Sequence, residues 1–168
     1  MTVLNKFMHA VNEYCKRNDE GVEEAELGKV YASLYREDLT YYRAVLTSPD
    51  PLPSGEFQVR FVDFGNEHKA YLSELKNVDS LGDFVVRLPY QAVQCQLRNL
   101  TPDDGFHWSD RESAALLELI GPDNPELLIR VTAPATDSSA AVVELFKRDP
   151  QTRHLTCINT ELAKGAPL

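Results

Sequence analysis

Cysteine is scarce in this chain: Cys15, Cys95 and Cys157 are the only three among 168 residues. An odd, widely spaced set is neither a disulfide framework nor a CxxC metal pair, and it fits a reducing compartment. Basic residues are also in deficit. Seventeen Lys and Arg stand against 26 Asp and Glu, for a formal net charge of −9. That balance opposes a nucleic-acid backbone as main partner, because phosphate neutralisation needs Lys and Arg in excess. It suits a cationic one, although acidity mostly serves solubility. No apolar run approaches the roughly eighteen residues of a membrane span, and no signal-peptide pattern is present. Asn99-Leu100-Thr101 spells a glycosylation sequon, which without a secretory signal reads as chance. HExxH, GxSxG and P-loop patterns are all missing. His9, His68, His107 and His154 are scattered and sit at no ligand spacing with the cysteines. The expectation is a non-enzymatic chain with no metal, no cofactor and no membrane partner.

What the sequence does contain centres on Glu56 to Asn66, EFQVRFVDFGN. Phe57, Val59 and Phe61 alternate with Gln58 and Arg60, the period-two pattern of a strand. At Phe64-Gly65-Asn66 the alternation breaks into a turn, where Gly tolerates positive φ and Asn is the next most tolerant residue. Upstream, Thr40 to Leu46 (TYYRAVL) reads as a strand with Tyr42, Ala44 and Leu46 on one face and Tyr41, Arg43 and Val45 on the other. Between these strands, Ser48 to Gly55 carries three prolines and a glycine, an exposed tip. Paired strands would bring Tyr42, Phe61, Phe64 and Asn66 to one end of a small sheet.

Residues 2 to 17 have helical spacing of Val3, Leu4, Phe7, Met8, Val11, Tyr14 and Cys15, which makes a packing face or a peptide-binding one. An acidic, solvated connector follows over 18–27. Gly28 to Tyr35 predicts a first strand, His68 to Leu72 a fourth, and Ser73 to Asn77 a helical turn. Four or five short strands at hairpin spacing favour a small barrel, since closure removes exposed edges. Beyond residue 80, Phe84 to Arg98 predicts a long strand bent at Pro89. A capping box, Ser109-Asp110-Arg111-Glu112, opens a helix that Gly121-Pro122 stops. Two strands at Leu127–Val131 and Val142–Phe146, then a short helix capped by Asn159 and ending at Gly165, complete a second α+β subdomain.

Tyr35-Arg36-Glu37-Asp38, Tyr41-Tyr42-Arg43-Ala44 and Phe61-Val62-Asp63-Phe64-Gly65-Asn66 together resemble the signature of Tudor domains. Leu88-Pro89-Tyr90-Gln91-Ala92, with Cys95 and Leu97, resembles the segment that continues extended Tudor domains into a staphylococcal-nuclease-like subdomain. The resemblance covers most of the chain and implies a mainly β, α+β fold. A small SH3-like Tudor barrel over 28–80 would follow a linking helix and connector over 1–27, and a nuclease-like (OB-type) subdomain would occupy 81–168. Members of the family usually place two strands of that subdomain before the linking helix, where this chain begins; the expectation is a subdomain lacking those strands. Phe64 replaces the commoner Tyr.

The resemblance further implies a reader of dimethylated arginine, symmetric in the germline members, in the tails of PIWI-clade Argonautes, within cytoplasmic germ granules. Tyr35, Tyr42, Phe61 and Phe64 would form the walls of a cage, and the Asn66 amide would orient the guanidinium. A guanidinium is planar, permanently charged and weakly hydrated, and it stacks on ring faces for about 0.5–2 kcal/mol per ring. Methylation keeps the charge and adds apolar area. Arg43 and Asp63 read as a structural ion pair, with Asp63 also a candidate to orient Asn66. Glu37, Asp38 and Glu67 would lie near the mouth, to attract further arginines or simply to be solvated. Phe61 and Tyr42 also suit a barrel core, and Leu34 replaces Tyr35 if the register slips. A scaffold for unmethylated protein and a weak RNA-binding domain are the alternatives.

Overall fold

The computed structural model describes residues 3–18, 21–105, 107–122 and 125–165; residue 2 of the expected first helix and residues 19 and 20 of the connector lie outside them. The chain divides into two units, Met1–Val93 and Gln94–Leu168. Residues 81–93 therefore group with the first unit, not with the second subdomain.

Helix α1, Val3–Arg17, buries Phe7, Val11 and Cys15, one residue per turn along a single stripe. Five strands follow: β1 Tyr31–Tyr35, β2 Thr40–Leu46, β3 Phe57–Phe61, β4 Glu67–Ala70 and β5 Leu75–Asn77. They form one antiparallel sheet in the order β4-β3-β2-β1-β5. The sheet curls strongly. Tyr35 on β1 and His68 on β4 meet with ring centroids 5.4 Å apart, although two strands lie between them in the ladder. The expected barrel is thus a curled five-stranded sheet. Leu75–Asn77, expected as part of a helical turn, is its fifth strand; the turn itself is a short 3-10 helix over Leu72–Glu74.

Both faces of the sheet are covered, which is why β2 alternates so cleanly. On the outer face, Phe7, Val11 and Cys15 pack with Val30, Ala32, Val78 and Val85, joined by Tyr41 and Val45. On the inner face, Tyr31, Ala44, Leu46, Val59, Phe61, Ala70 and Leu75 form the second cluster. Each fully buried Phe, Leu or Val contributes about 1.5–3 kcal/mol. The helix is also pinned through backbone: the Asn12 amide accepts from Tyr41 N at 2.8 Å and donates to Tyr41 O at 2.9 Å. Those groups lie beyond the part of β2 that pairs with β3, so Asn12 satisfies an edge that would otherwise be open.

The connector is less solvated than its charge suggests. Val22 and Ala25 pack on the inner cluster, and Glu26 N donates to the Tyr31 hydroxyl at 2.9 Å. Gly21 must be glycine here: a Cβ would fall 2.6 Å from Ser73 Cα.

The long strand expected over Phe84–Arg98 does not form. Asp83–Val86 is a single helical turn, α2, an irregular stretch follows, and only Cys95–Leu97 becomes a strand, β6. The carbonyls of Val85, Leu88 and Pro89 accept hydrogen bonds from the Arg43 guanidinium instead of a neighbouring strand.

In the second unit, Ser109 caps α3, Asp110–Ile120, and its capping box with Glu112 is complete. Strands β7 Leu127–Ala133, β8 Ala141–Arg148 and β9 Leu155–Cys157 precede helix α4, Ile158–Gly165. β8 pairs antiparallel with β7, parallel with β6 and antiparallel with β9. Asn159 is not a helix cap. Buried on α4, it accepts from Leu145 N at 2.9 Å and donates to Val143 O and Arg98 O at 3.1 Å. It fills the gap on β8 between the residues paired with β6 and those paired with β9.

Candidate functional site

At one end of the inner cluster the curl brings three strand ends and a turn together. Tyr35 closes β1, Tyr42 lies near the start of β2, Phe61 ends β3, and Phe64 and Asn66 sit in the turn to β4. Gly65, at φ +90°, lets this turn reverse, and Gly65 N donates back to Phe61 O at 2.7 Å. These five residues, all expected from sequence, line one cavity of about 130 Å³. That is well below the roughly 300–1,000 Å³ of a drug-sized site, and fits a single small head group. Leu34 is not among them, so the strand register favours Tyr35.

The rings stand nearly perpendicular to one another. Tyr35 meets Tyr42 at 6.2 Å and 76°, and Phe61 at 5.6 Å and 84°. Tyr42 meets Phe61 at 5.6 Å and 71°, and Phe64 at 5.0 Å and 82°. Edge-to-face contacts are the arrangement that ring quadrupoles prefer, and they box the cavity with aromatic walls. Phe61 is both core and wall, buried beneath the cavity. Phe64 is 53% exposed and packs chiefly against Tyr42. Among the described residues the Asn66 side-chain amide makes no hydrogen bond, which leaves its carbonyl and NH₂ available to a ligand.

A carboxylate holds Tyr42 by its hydroxyl. Tyr42 donates to Asp38 Oδ2 at 2.6 Å, while Asp38 Oδ1 accepts from Thr40 N at 2.9 Å. Burial, reinforced by this carboxylate, pushes the Tyr42 phenol up to about 12. The neighbouring Glu37 carboxylate, with smaller contributions from burial and Asp38, raises Tyr35 as well. Both phenols thus stay protonated across the neutral range, and the rim carries negative charge. Glu67 is placed differently: it is taken by Arg60 at 2.8 Å and Gln58 at 3.1 Å, which hold its carboxyl below the ordinary range.

Residues 2–99 match the Tudor domain family, which is more than half of the chain. The chain belongs to the Tudor domain family. It is 30% identical to human Tudor domain-containing protein 1 over 107 residues, 64% of this chain and 9% of that protein. It spans less than a tenth of the length of this relative and of its mouse counterpart. Among solved structures it is similar to extended Tudor domain TD3 from mouse TDRD1, in complex with a MILI peptide containing dimethylarginine. The TM-score is 0.75 with 26% identity, covering 96% of this chain and 76% of that one. The Drosophila melanogaster Papi extended Tudor domain, in complex with a Piwi N-terminal peptide, shares the fold at 20% identity and a TM-score of 0.75, covering 96% and 84%.

The cavity of this Tudor domain is supported from behind by Arg43. All five of its N–H groups are used: two to Asp63, two from Nη1 to the carbonyls of Val85 and Leu88, and one from Nη2 to Pro89 O. Its guanidinium also lies 4.9 Å from the Phe7 ring centroid. Asp63 accepts from Gln91 N at 3.2 Å and has no bond to Asn66, and Ala92 N donates to Val62 O at 3.1 Å. The turn that carries Phe64 and Asn66 is thereby tied to residues 85–92, which explains why that segment groups with the Tudor sheet. Sequence reasoning missed this support because the bonds use backbone atoms, which leave no side-chain pattern. It also missed His68, whose ring packs behind Tyr35 and Phe61; a lone histidine between Glu67 and Lys69 gives no signal.

Proposed function

We propose that this chain is a non-enzymatic reader of dimethylated arginine, held by Tyr35, Tyr42, Phe61, Phe64 and Asn66. The observation that carries the reading is the small cavity walled by four rings in successive edge-to-face contacts, with a free amide at its rim and a carboxylate holding the Tyr42 hydroxyl. A guanidinium entering there exchanges water for ring faces, each contributing about 0.5–2 kcal/mol. Asn66 accepts a remaining N–H and fixes the plane of the group. Two methyls, buried at about 0.8 kcal/mol each before ordering costs, give a preference on the order of tenfold over unmodified arginine. One anchor on a short flexible peptide corresponds to roughly micromolar affinity.

The partner class follows from the similar structures, which hold a dimethylarginine-containing MILI peptide and a Piwi N-terminal peptide. The proposed ligand is therefore an Arg-Gly-rich tail of a PIWI-clade Argonaute, and the proposed setting is a cytoplasmic germ granule. Among the described residues no helix is long and apolar enough to cross a membrane. Fluorescence anisotropy with a labelled Arg-Gly peptide carrying one symmetric dimethylarginine tests the reading. Binding in the micromolar range that drops at least tenfold in Asn66→Ala supports it; binding unchanged by that substitution overturns the site.

A further inference from the structure

His68 faces the inner side of the sheet from β4, opposite Val59 of β3. Its imidazole stacks on Phe61, with centroids 5.9 Å apart and planes at 29°, and meets Tyr35 edge-on at 5.4 Å and 70°. It therefore touches two walls of the cage without lining the cavity. Its Nε2 is buried and has no hydrogen-bond partner. A buried unpartnered nitrogen costs much less in a neutral imidazole, which can stack as a plate, than in an imidazolium, whose charge would be buried without a partner.

Taking the methylarginine reading of the cage as given, we infer that His68 is a positioning residue, the rear ring of the cage, which must remain neutral for a cation to bind. As a neutral ring it backs Phe61 and Tyr35 and fixes their separation. When protonated it places a second cation against the same two rings, competing for their negative faces and repelling the guanidinium across them. The surrounding groups do not cancel that charge. Tyr35 of β1 is a neutral phenol engaged with Glu37, and Phe61 of β3 is apolar. Glu74 of the 3-10 turn lies near enough to sense His68. However, it is already held by Arg36 at 2.9 and 2.7 Å and by Tyr71 N at 2.8 Å. On β4 itself Glu67 is paired with Arg60, and Lys69 adds positive charge. Proton and ligand thus exclude each other, and by linkage each weakens the other by the same factor.

The test is a calorimetric titration of wild type and His68→Phe at pH 7.5 and pH 5.5. The probe is a dimethylarginine peptide free of histidine and acidic residues. Wild-type affinity is expected to fall several-fold at the lower pH, within the usual range of coupling between two sites. His68→Phe keeps a ring and cannot titrate, so it is expected to bind equally at both values. A second readout needs no variant: saturating peptide should suppress protonation of the wild-type imidazole relative to the free protein as pH is lowered, seen in the shifts of its carbon-bound protons. PH-independent wild-type binding overturns the inference and leaves the cage intact. An equal fall in His68→Phe, or imidazole shifts indifferent to peptide, also overturns it. Absence of binding at pH 7.5 overturns the methylarginine reading together with it.

Discussion

Arg43 and Asp63 form two hydrogen bonds, 2.9 and 2.6 Å long, between side chains that are 0% and 1% exposed. Asp63 leads the turn that presents Phe64 and Asn66, and Arg43 lies on β2 beside Tyr42, so this pair sets the relative position of two parts of the cage. Removing one partner of such a buried pair leaves an uncompensated charge, a loss of about 3–5 kcal/mol. Arg43→Lys cannot reproduce five donors in a planar fork. Urea unfolding of Arg43→Lys and Asp63→Asn is expected to show a large drop in midpoint for both; midpoints near wild type would mean the pair is dispensable.

Phe64 and Phe61 separate binding from stability. Phe61 is buried, so Phe61→Ala should cost about 3–5 kcal/mol of stability and binding with it. Phe64 is half exposed, so Phe64→Ala should change stability by less than about 1 kcal/mol while peptide affinity falls at least tenfold. Thermal unfolding alongside a binding titration decides this. A Phe64→Ala protein that binds as wild type would remove the outer wall from the site.

Asp38 acts on the cage through the Tyr42 hydroxyl. Asp38→Ala and Tyr42→Phe each delete that bond, so each should weaken binding several-fold and the double variant should be no worse than the poorer single one. Fully additive losses would show that Asp38 works instead as a distant charge. A steep salt dependence of the Asp38 effect would mark the same alternative.

The three cysteines should divide by burial. Cys15 lies on the buried face of α1, and burial pushes its thiol up to about 11. The folded state therefore holds that proton more tightly than the unfolded chain, for which the ordinary value is 9.0. The contribution to stability is complete below pH 9 and is lost as pH rises from about 9 toward 11. Cys95 is exposed. At pH 8 a thiol reagent should label Cys95 rapidly and Cys15 only on unfolding; rapid labelling of Cys15 in the native protein would contradict the packing of α1.

The sequence revealed the sheet and the residues of the ring-walled cavity where local pattern and packing agree. Strand β2 is legible to the residue because both faces of Thr40–Leu46 are covered, by α1 on one side and the inner cluster on the other. The turn at Phe64-Gly65-Asn66 is legible because positive φ at Gly65 restricts what the chain can place there. Failure came where side chains at a distance capture backbone. The alternation of Phe84–Arg98 is present, yet Arg43 takes three of its carbonyls and no long strand forms. Asn159 carries the residue type of a helix cap and completes a strand edge instead. Leu75–Asn77 is too short to show a period and becomes a strand only by pairing with the free edge of β1.

The most direct measurement of the central claim is a calorimetric titration with one Arg-Gly peptide in three forms: unmethylated, symmetrically dimethylated and asymmetrically dimethylated. The account predicts micromolar binding of the symmetric form, on the order of tenfold weaker binding of the unmethylated one, and loss of that difference in Asn66→Ala. Equal affinity for all three forms in the wild-type protein would contradict it.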